Sequence, residues 1–233
     1  HRRDQLTEMP KETFIPHNSA LVIQMNHGMQ LPEKVTGILE KEIAVWKKRS
    51  LYQFVQQIKE SALVDTAAVV LAFRMEGKES LRSLYIFNRT FSVRNDLASF
   101  LSLTYPGVAP IERKFDHFTV NSLFDGRDEI NYVQVGEMLL VSDSGFYIED
   151  ALKQLDHSRD EVPEEVPHFA RIKSHFSGSS ALNIYTLTLL FSRILSLCGY
   201  RKNLCHPGWI FPVGLRGEPW IWMRKRKESA WMA

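Results

Sequence analysis

Residues 65–91, DTAAVVLAFRMEGKESLRSLYIFNRTF, constrain the fold more than any other stretch of this chain. Two apolar, β-rich runs, Ala67–Met75 and Leu81–Arg89, flank the polar break Glu76-Gly77-Lys78-Glu79-Ser80. Val69, Val70, Phe73, Tyr85, Ile86 and Phe87 suit a pleated, packed surface, and a glycine in a short polar break between such runs signals a hairpin. A strand with one wet face alternates apolar with polar residues. The first run is instead apolar at successive positions, so both its faces need cover. The expectation is a hairpin inside a sheet, with helices covering a face.

The flanking chain fits that plan. Ser19–Met25 reads as a short strand, entered through Ile15-Pro16-His17-Asn18. Val35, Ile38, Leu39, Ile43 and Trp46, then Leu51, Phe54, Val55 and Ile58, recur at near-helical spacing and predict helices over roughly 32–48 and 50–61, with Ser50 as a cap for the second. Leu97, Phe100, Leu101 and Leu103 predict another helix, stopped by Tyr105-Pro106-Gly107. Ile111–Lys114 and Phe118–Phe124 read as strands. Ile130–Val135 and Met138–Val141 form a tight hairpin about Gly136-Glu137. Ser142-Asp143-Ser144-Gly145 then introduces a helix carrying Ile148, Ala151, Leu152 and Leu155. Residues 156–168 read as a charged loop, and Phe169–Phe176 as a short helix. Strands and helices in this mixed order predict an α+β fold with a largely antiparallel sheet and helices packed on it.

At Ser180 the chain starts again: Ser180-Ala181-Leu182-Asn183-Ile184-Tyr185 echoes Ser19-Ala20-Leu21-Val22-Ile23-Gln24. The expected organisation is a linker or frayed terminus at 1–13, an α+β domain at 14–178, the start of a second repeat at 179–205, and an atypical Trp-rich basic tail at 206–233. The alternative for 179–205 is one more strand and helix of the same domain. The tail holds Trp209, Trp220, Trp222 and Trp231 of the chain's five tryptophans, and Arg216 and Arg224-Lys225-Arg226-Lys227 against only Glu218 and Glu228. Three readings of it stay open: Trp220, Trp222 and Arg224–Lys227 touching a membrane surface or anionic polymer, an irregular segment packing its tryptophans on the domain, or out-of-frame translation ending a truncated gene product.

Outside the tail the charges balance. Of 29 Lys+Arg and 27 Asp+Glu in the whole chain, residues 1–205 carry 24 and 25, with no nucleic-acid footprint. Cys198 and Cys205 match neither a disulfide framework nor a zinc signature. No run reaches the ~18 apolar residues of a membrane span. The chain opens at His1 on a polar segment, as a trimmed or mature chain does, so membrane association is expected only through an upstream anchor or the tail.

Candidate chemistry is sparse. Asp125 and Asp128 sit with Glu129 in a turn that offers oxygen ligands without EF-hand spacing, and a solvated turn is the plainer account. His157, Asp160, Glu161, Glu164, Glu165 and His168 form an acidic, histidine-containing loop. Asp116-His117 sets a carboxylate beside an imidazole, although neighbours on a strand point to opposite faces. Asp143 and Ser144 lie between a strand and a helix, where backbone N–H groups receive anions; helix capping is the plainer account. No G-x-S-x-G elbow and no Walker or dinucleotide fingerprint occurs. No catalytic residue, metal or cofactor is assigned.

Three stretches, FIPHNSALVIQMN, YVQVGEMLLVSDSGFYIEDALKQL and SGSSALNIYTLTLLFSRILSL, resemble a Bacteroidetes-type extracytoplasmic protein family related to a domain of unknown function. The resemblance spans roughly residues 14–197 and departs from the family pattern after Leu197. It implies a duplicated α+β architecture and a periplasmic or cell-envelope location, membrane-anchored or as a lipoprotein, and transfers no catalytic residue. The functional expectation is a non-enzymatic binding or structural module, its partner an envelope protein or polymer. The alternatives are a hydrolase-like enzyme and a small-ligand-binding protein with a pocket in the α+β domain.

Overall fold

The computed structural model describes residues 11–26, 50–77, 80–90, 97–124, 126, 128–160, 182–186 and 210–213. The hairpin takes the central place expected of it. Strands β1 (Leu21–Met25), β2 (Val64–Glu76), β3 (Ser80–Arg89), β4 (Ile111–Phe115), β5 (Phe118–Phe124), β6 (Glu129–Val135), β7 (Met138–Ser142), β8 (Leu182–Thr186) and β9 (Ile210–Val213) form one nine-stranded sheet in the order β4-β5-β6-β7-β3-β2-β1-β8-β9. Every neighbouring pair is antiparallel. With helices α1 (Ser50–Glu60), α2 (Leu97–Thr104) and α3 (Gly145–Asp160), this is an α+β fold.

Both faces of β2 and β3 are buried, for the reason their sequence implied. Alternation sends Val69, Leu71 and Phe73 to one face with Tyr85 and Phe87, where α1 (Leu51, Phe54, Val55, Ile58) and α2 (Leu97, Leu101) pack. Val70 and Ala72 go to the other face with Leu84 and Ile86, beneath α3 (Tyr147, Ile148, Ala151, Leu152, Leu155). Helices thus cover both faces rather than one. Gly77 and Gly136 turn the two hairpins at φ +70° and +56°, a region open to glycine without a Cβ clash.

Three local details differ from the sequence expectation. β2 begins at Val64, and its register with β3 shifts between Asp65 and Val69. This bulge is held by the Ala67 N–H donating to Asp65 Oδ1 (2.8 Å) and by Lys11 Nζ donating to the Ala68 carbonyl. Lys11 belongs to a 3-10 turn, Lys11–Phe14, whose Phe14 is wholly buried beside Ile15, so order begins before residue 14. α3 runs on to Asp160, into the stretch expected as loop, because its polar residues carry no helix breaker before Pro163. The stretch 182–186, where a second repeat is expected to open, is strand β8, paired with β1 in the same sheet. The helices expected at 32–48 and 169–176 lie outside the described residues.

Candidate functional site

The densest meeting of ionisable groups among the described residues lies where β2 and β3 pass under α3. It begins with Arg74. Alternation places Arg74 on the same face as Val70 and Ala72, so a guanidinium is carried under a helix with 6 % of the residue exposed. Register sets Arg82 of β3 directly across from it, a like-charge pair that needs an intervening anion. Glu76, two residues on along the same face, supplies it: Oε1 lies 3.3 Å from Arg74 Nη2 and Oε2 lies 2.6 Å from Arg82 Nε. From above, α3 contributes Asp150, whose Oδ2 accepts from Arg74 Nη1 at 2.5 Å, and Tyr147, whose ring lies under the guanidinium at 4.6 Å. The buried Tyr147 hydroxyl pairs with Ser19 Oγ at 2.9 Å, and Asn18 Nδ2 donates to Asp150 (3.3 Å), so the approach to β1 is tied into the cluster.

The electrostatics follow from these contacts. Burial pushes the Glu76 carboxyl up, but the hydrogen bond and charge of Arg82, the Ser144 hydroxyl and the Arg74 charge outweigh it and hold the group below the usual range. Burial likewise pushes Asp150 up, and hydrogen bonds from Lys153, Arg74 and Asn18 together with the Arg74 charge bring it below its usual value. The Tyr147 hydroxyl is pushed up, by burial first. Both carboxyls are thus ionised at neutral pH, as their ion pairs require, and the Tyr147 hydroxyl is neutral.

Asp143 and Ser144 join this cluster, in roles other than capping by their side chains. Asp143 Oδ1 accepts from the Ser83 N–H of β3 (2.9 Å). Ser144 Oγ donates to Glu76 Oε1 (3.2 Å), while its carbonyl receives the Tyr147 and Ile148 N–H groups of the first turn. The amides there are already engaged: Ser144 N donates to Ser142 Oγ (3.1 Å) and Gly145 N to the Asn131 carboxamide oxygen (3.2 Å). Asn131, fully buried, donates in turn to Ser122 Oγ (2.7 Å) and Glu129 Oε1 (3.0 Å). A Cβ at Gly145 would lie 2.7 Å from Arg113 Nη2 and 3.1 Å from the Asn131 side-chain amide, so the glycine eases this approach.

The other candidates are scattered. Asp116 and His117 form the two-residue turn between β4 and β5, Asp116 at φ +51°, so the rule for strand neighbours does not apply and their side chains hydrogen-bond each other. Both are exposed, and the imidazole lies 3.9 Å from the Phe118 ring. Asp128 Oδ2 accepts from the Ser50 N–H (3.3 Å), so this acid from a distant turn serves the first residue of α1. Asp125, the loop residues 161–168, Trp220, Trp222, Arg224, Lys225, Arg226 and Lys227 lie outside the described residues. Among the described residues no three His, Cys, Asp or Glu side chains come together as a metal site, and no helix is long and apolar enough to cross a membrane.

Chemically, the junction offers a serine hydroxyl on a carboxylate, the minimal contact of a nucleophile with a base. A base must be free to take the proton. Glu76 is not, because both its oxygens already face arginine nitrogens. Sequence reasoning found Asp143 and Ser144 but missed Arg74, Glu76, Arg82, Tyr147 and Asp150. The signal for Arg74 was present: a lone charge inside an apolar run, in phase with Val70 and Ala72. Compared with protein-family models, curated proteins and solved structures, the chain finds no match.

Proposed function

We propose that this chain is a non-enzymatic module of an extracytoplasmic, cell-envelope protein, which binds an envelope protein or polymer or presents a structural surface to it. The reading rests on Glu76. The serine–carboxylate contact at the strand–helix junction is neutralised by two arginines and spans β2, β3 and α3, which is how a cluster that holds elements together is built. The resemblance of residues 14–197 to an extracytoplasmic family supplies the location.

The surface itself is apolar at one corner. Ile111 of β4 and Phe124 of β5 flank Ser122 on the α3 face, and Phe146 follows the glycine that shares Asn131 with Ser122; they are 59 %, 50 % and 65 % exposed. Large side chains left in water near one another suit an interaction site better than isolated ones.

The test pairs two assays on the full chain. Retention on isolated bacterial envelopes is measured for the wild type and for I111S/F124S/F146S, with thermal unfolding as a control. The triple variant is expected to lose retention while melting within a few degrees of the wild type. In parallel, chromogenic ester and phosphoester substrates are offered to the wild type and Ser144→Ala. Turnover that disappears in S144A would sink the non-enzymatic reading.

A further inference from the structure

The two echoing segments, Ser19–Gln24 and Ser180–Tyr185, contain strands that lie side by side, and their register carries more than their similarity does. β1 and β8 pair as Leu21 with Thr186, Val22 with Tyr185, Ile23 with Ile184, Gln24 with Asn183 and Met25 with Leu182. The echo matches Leu21 with Leu182 and Ile23 with Ile184. Each residue therefore faces the counterpart of its own mirror position, and Ile23 faces its own counterpart. A two-fold axis relating equivalent residues passes between Ile23 and Ile184. Backbone two-folds occur in any antiparallel pair. An axis that also matches the sequence requires this one register, because a slip of one residue would set Ile23 against Asn183 or Tyr185.

The symmetry reaches one strand further out. β2 flanks β1 with Phe73 at Leu21, Leu71 at Ile23 and Val70 at Gln24. β9 flanks β8 with Val213 at Leu182, Phe211 at Ile184 and Ile210 at Tyr185, the same spacing at the matched positions. The order β2-β1-β8-β9 is thus two-fold symmetric in direction and register. An interface of this kind is isologous: the same patch serves both sides.

We infer that the edge of β1 now paired with β8 is a self-recognition surface that takes the β1 strand of a second copy of this chain, and that β8 is its internal stand-in. In the pair of copies Ile23 meets Ile23 and Leu21 meets Met25, which keeps all three of these apolar residues on the face they already share with α1 and α2. Val22 meets Gln24 on the other face. β8, tethered in the same chain, competes at an effective concentration on the order of millimolar, so the copies pair when β8 is released. The chain is then a strand-exchange dimer held in check by its own β8.

The test uses the full chain with Cys198→Ser and Cys205→Ser. The Phe73 carbonyl accepts from the Ala20 N–H and so faces β1, where Phe73 pairs with Leu21; alternation from that pair turns the Ile23 amide toward β2 and the Gln24 amide toward its β8 partner Asn183. Asn183→Pro, which removes a backbone donor from the β1–β8 seam, is expected to convert the 27.0 kDa monomer to a discrete dimer in light scattering as concentration rises. Adding Gln24→Pro is expected to return the monomer. On mild oxidation, Ile23→Cys in the Asn183→Pro chain should give a disulfide-linked dimer, and Ser102→Cys, exposed on α2, should not. An Asn183→Pro chain that keeps its circular dichroism and stays monomeric overturns the inference, as does cross-linking at Ser102→Cys as fast as at Ile23→Cys. Should Asn183→Pro unfold the chain, Ile23→Cys with β8 intact decides: slow capture of a disulfide-linked dimer at the rate of β8 release supports exchange, and none at high concentration overturns it.

Discussion

The two faces of the sheet bury similar numbers of side chains by different physics. Under α1 and α2 the contacts are aromatic and apolar: Phe54, with none of its surface exposed, lies 6.1 Å from Phe100, 6.0 Å from Tyr105 and 6.3 Å from Tyr132, and Tyr85 stacks on Phe87 at 5.9 Å. Under α3 an equally apolar layer is pinned at one end by Arg74, Glu76 and Asp150. Apolar area gives adhesion without direction, so a helix held by area alone is free to adjust by small slides. A guanidinium that must meet a carboxylate on the strand, another on the helix and a ring face leaves one position for α3. The apolar face carries stability and the polar junction carries alignment.

That division is broken most severely at Phe54. Phe54→Ala empties the centre of the aromatic group, and a change of that kind in a packed core costs about 3–5 kcal/mol. The loss, measured by denaturant unfolding, is expected to be the same at neutral pH and below pH ~3, since the side chains in contact carry no charge that changes between them. A cost below about 1 kcal/mol would show that the α1 face is not the main source of stability.

Arg74 comes next. Arg74→Met keeps much of the stem packing but leaves two carboxylates facing each other under α3. Removing one partner of a buried pair costs about 3–5 kcal/mol, and the 30 % and 34 % exposure of Asp150 and Glu76 brings the expectation down to about 2 kcal/mol. Adding Asp150→Asn should recover part of that, a coupling a double-mutant cycle reads directly. The pH dependence sharpens the contrast with Phe54. Glu76 and Asp150 titrate below 4.5 and 3.8 when folded, so the unfolded chain takes up their protons first. Their contribution is complete above those values and is lost as pH falls through the folded ones. The acid limb of the stability curve should therefore flatten in R74M and keep its slope in F54A.

The two faces also differ in how much of them can be read from the chain. The apolar face is written in local periodicity: Leu51, Phe54, Val55 and Ile58 mark α1, and the doubly apolar run of β2 marks a covered strand. The junction is written in coincidences of register. Arg74 is visibly inward-facing, yet that Arg82 lies across from it depends on Gly77 setting the hairpin register, and that Asp150 arrives above depends on the angle of α3. Asp128 serving α1 and β8 lying along β1 are long-range pairings of the same kind, with no local signal. Asp143 and Ser144 stood out because strand-to-helix turns are recognisable, but their side-chain partners, Ser83 and Glu76, come from a hairpin some sixty residues earlier.

Gly145 is where alignment is most finely set and the expected effect smallest. Its φ is not in the left-handed region, so alanine is acceptable to the backbone and would favour a helix by up to about 1 kcal/mol. Against that, the new methyl meets Arg113 Nη2 and the Asn131 side-chain amide. The arginine end can swing away, at the cost of its 2.7 Å pair with Glu149, which is half-exposed on the arginine side and worth little. Asn131 cannot move so freely, because it is fully buried and holds Ser122, Glu129 and the Gly145 N–H together. The two terms nearly cancel, and Gly145→Ala is expected to lose about 1 kcal/mol or less. The informative variant is Gly145→Ala with Asn131→Ala. If Asn131 aligns the start of α3, Asn131→Ala alone should cost more than Gly145→Ala, and the double variant, with the clash gone, should regain up to about 1 kcal/mol over Asn131→Ala without reaching the wild type. An Asn131→Ala that costs no more than Gly145→Ala would mean that Arg74 and Asp150 position the helix alone.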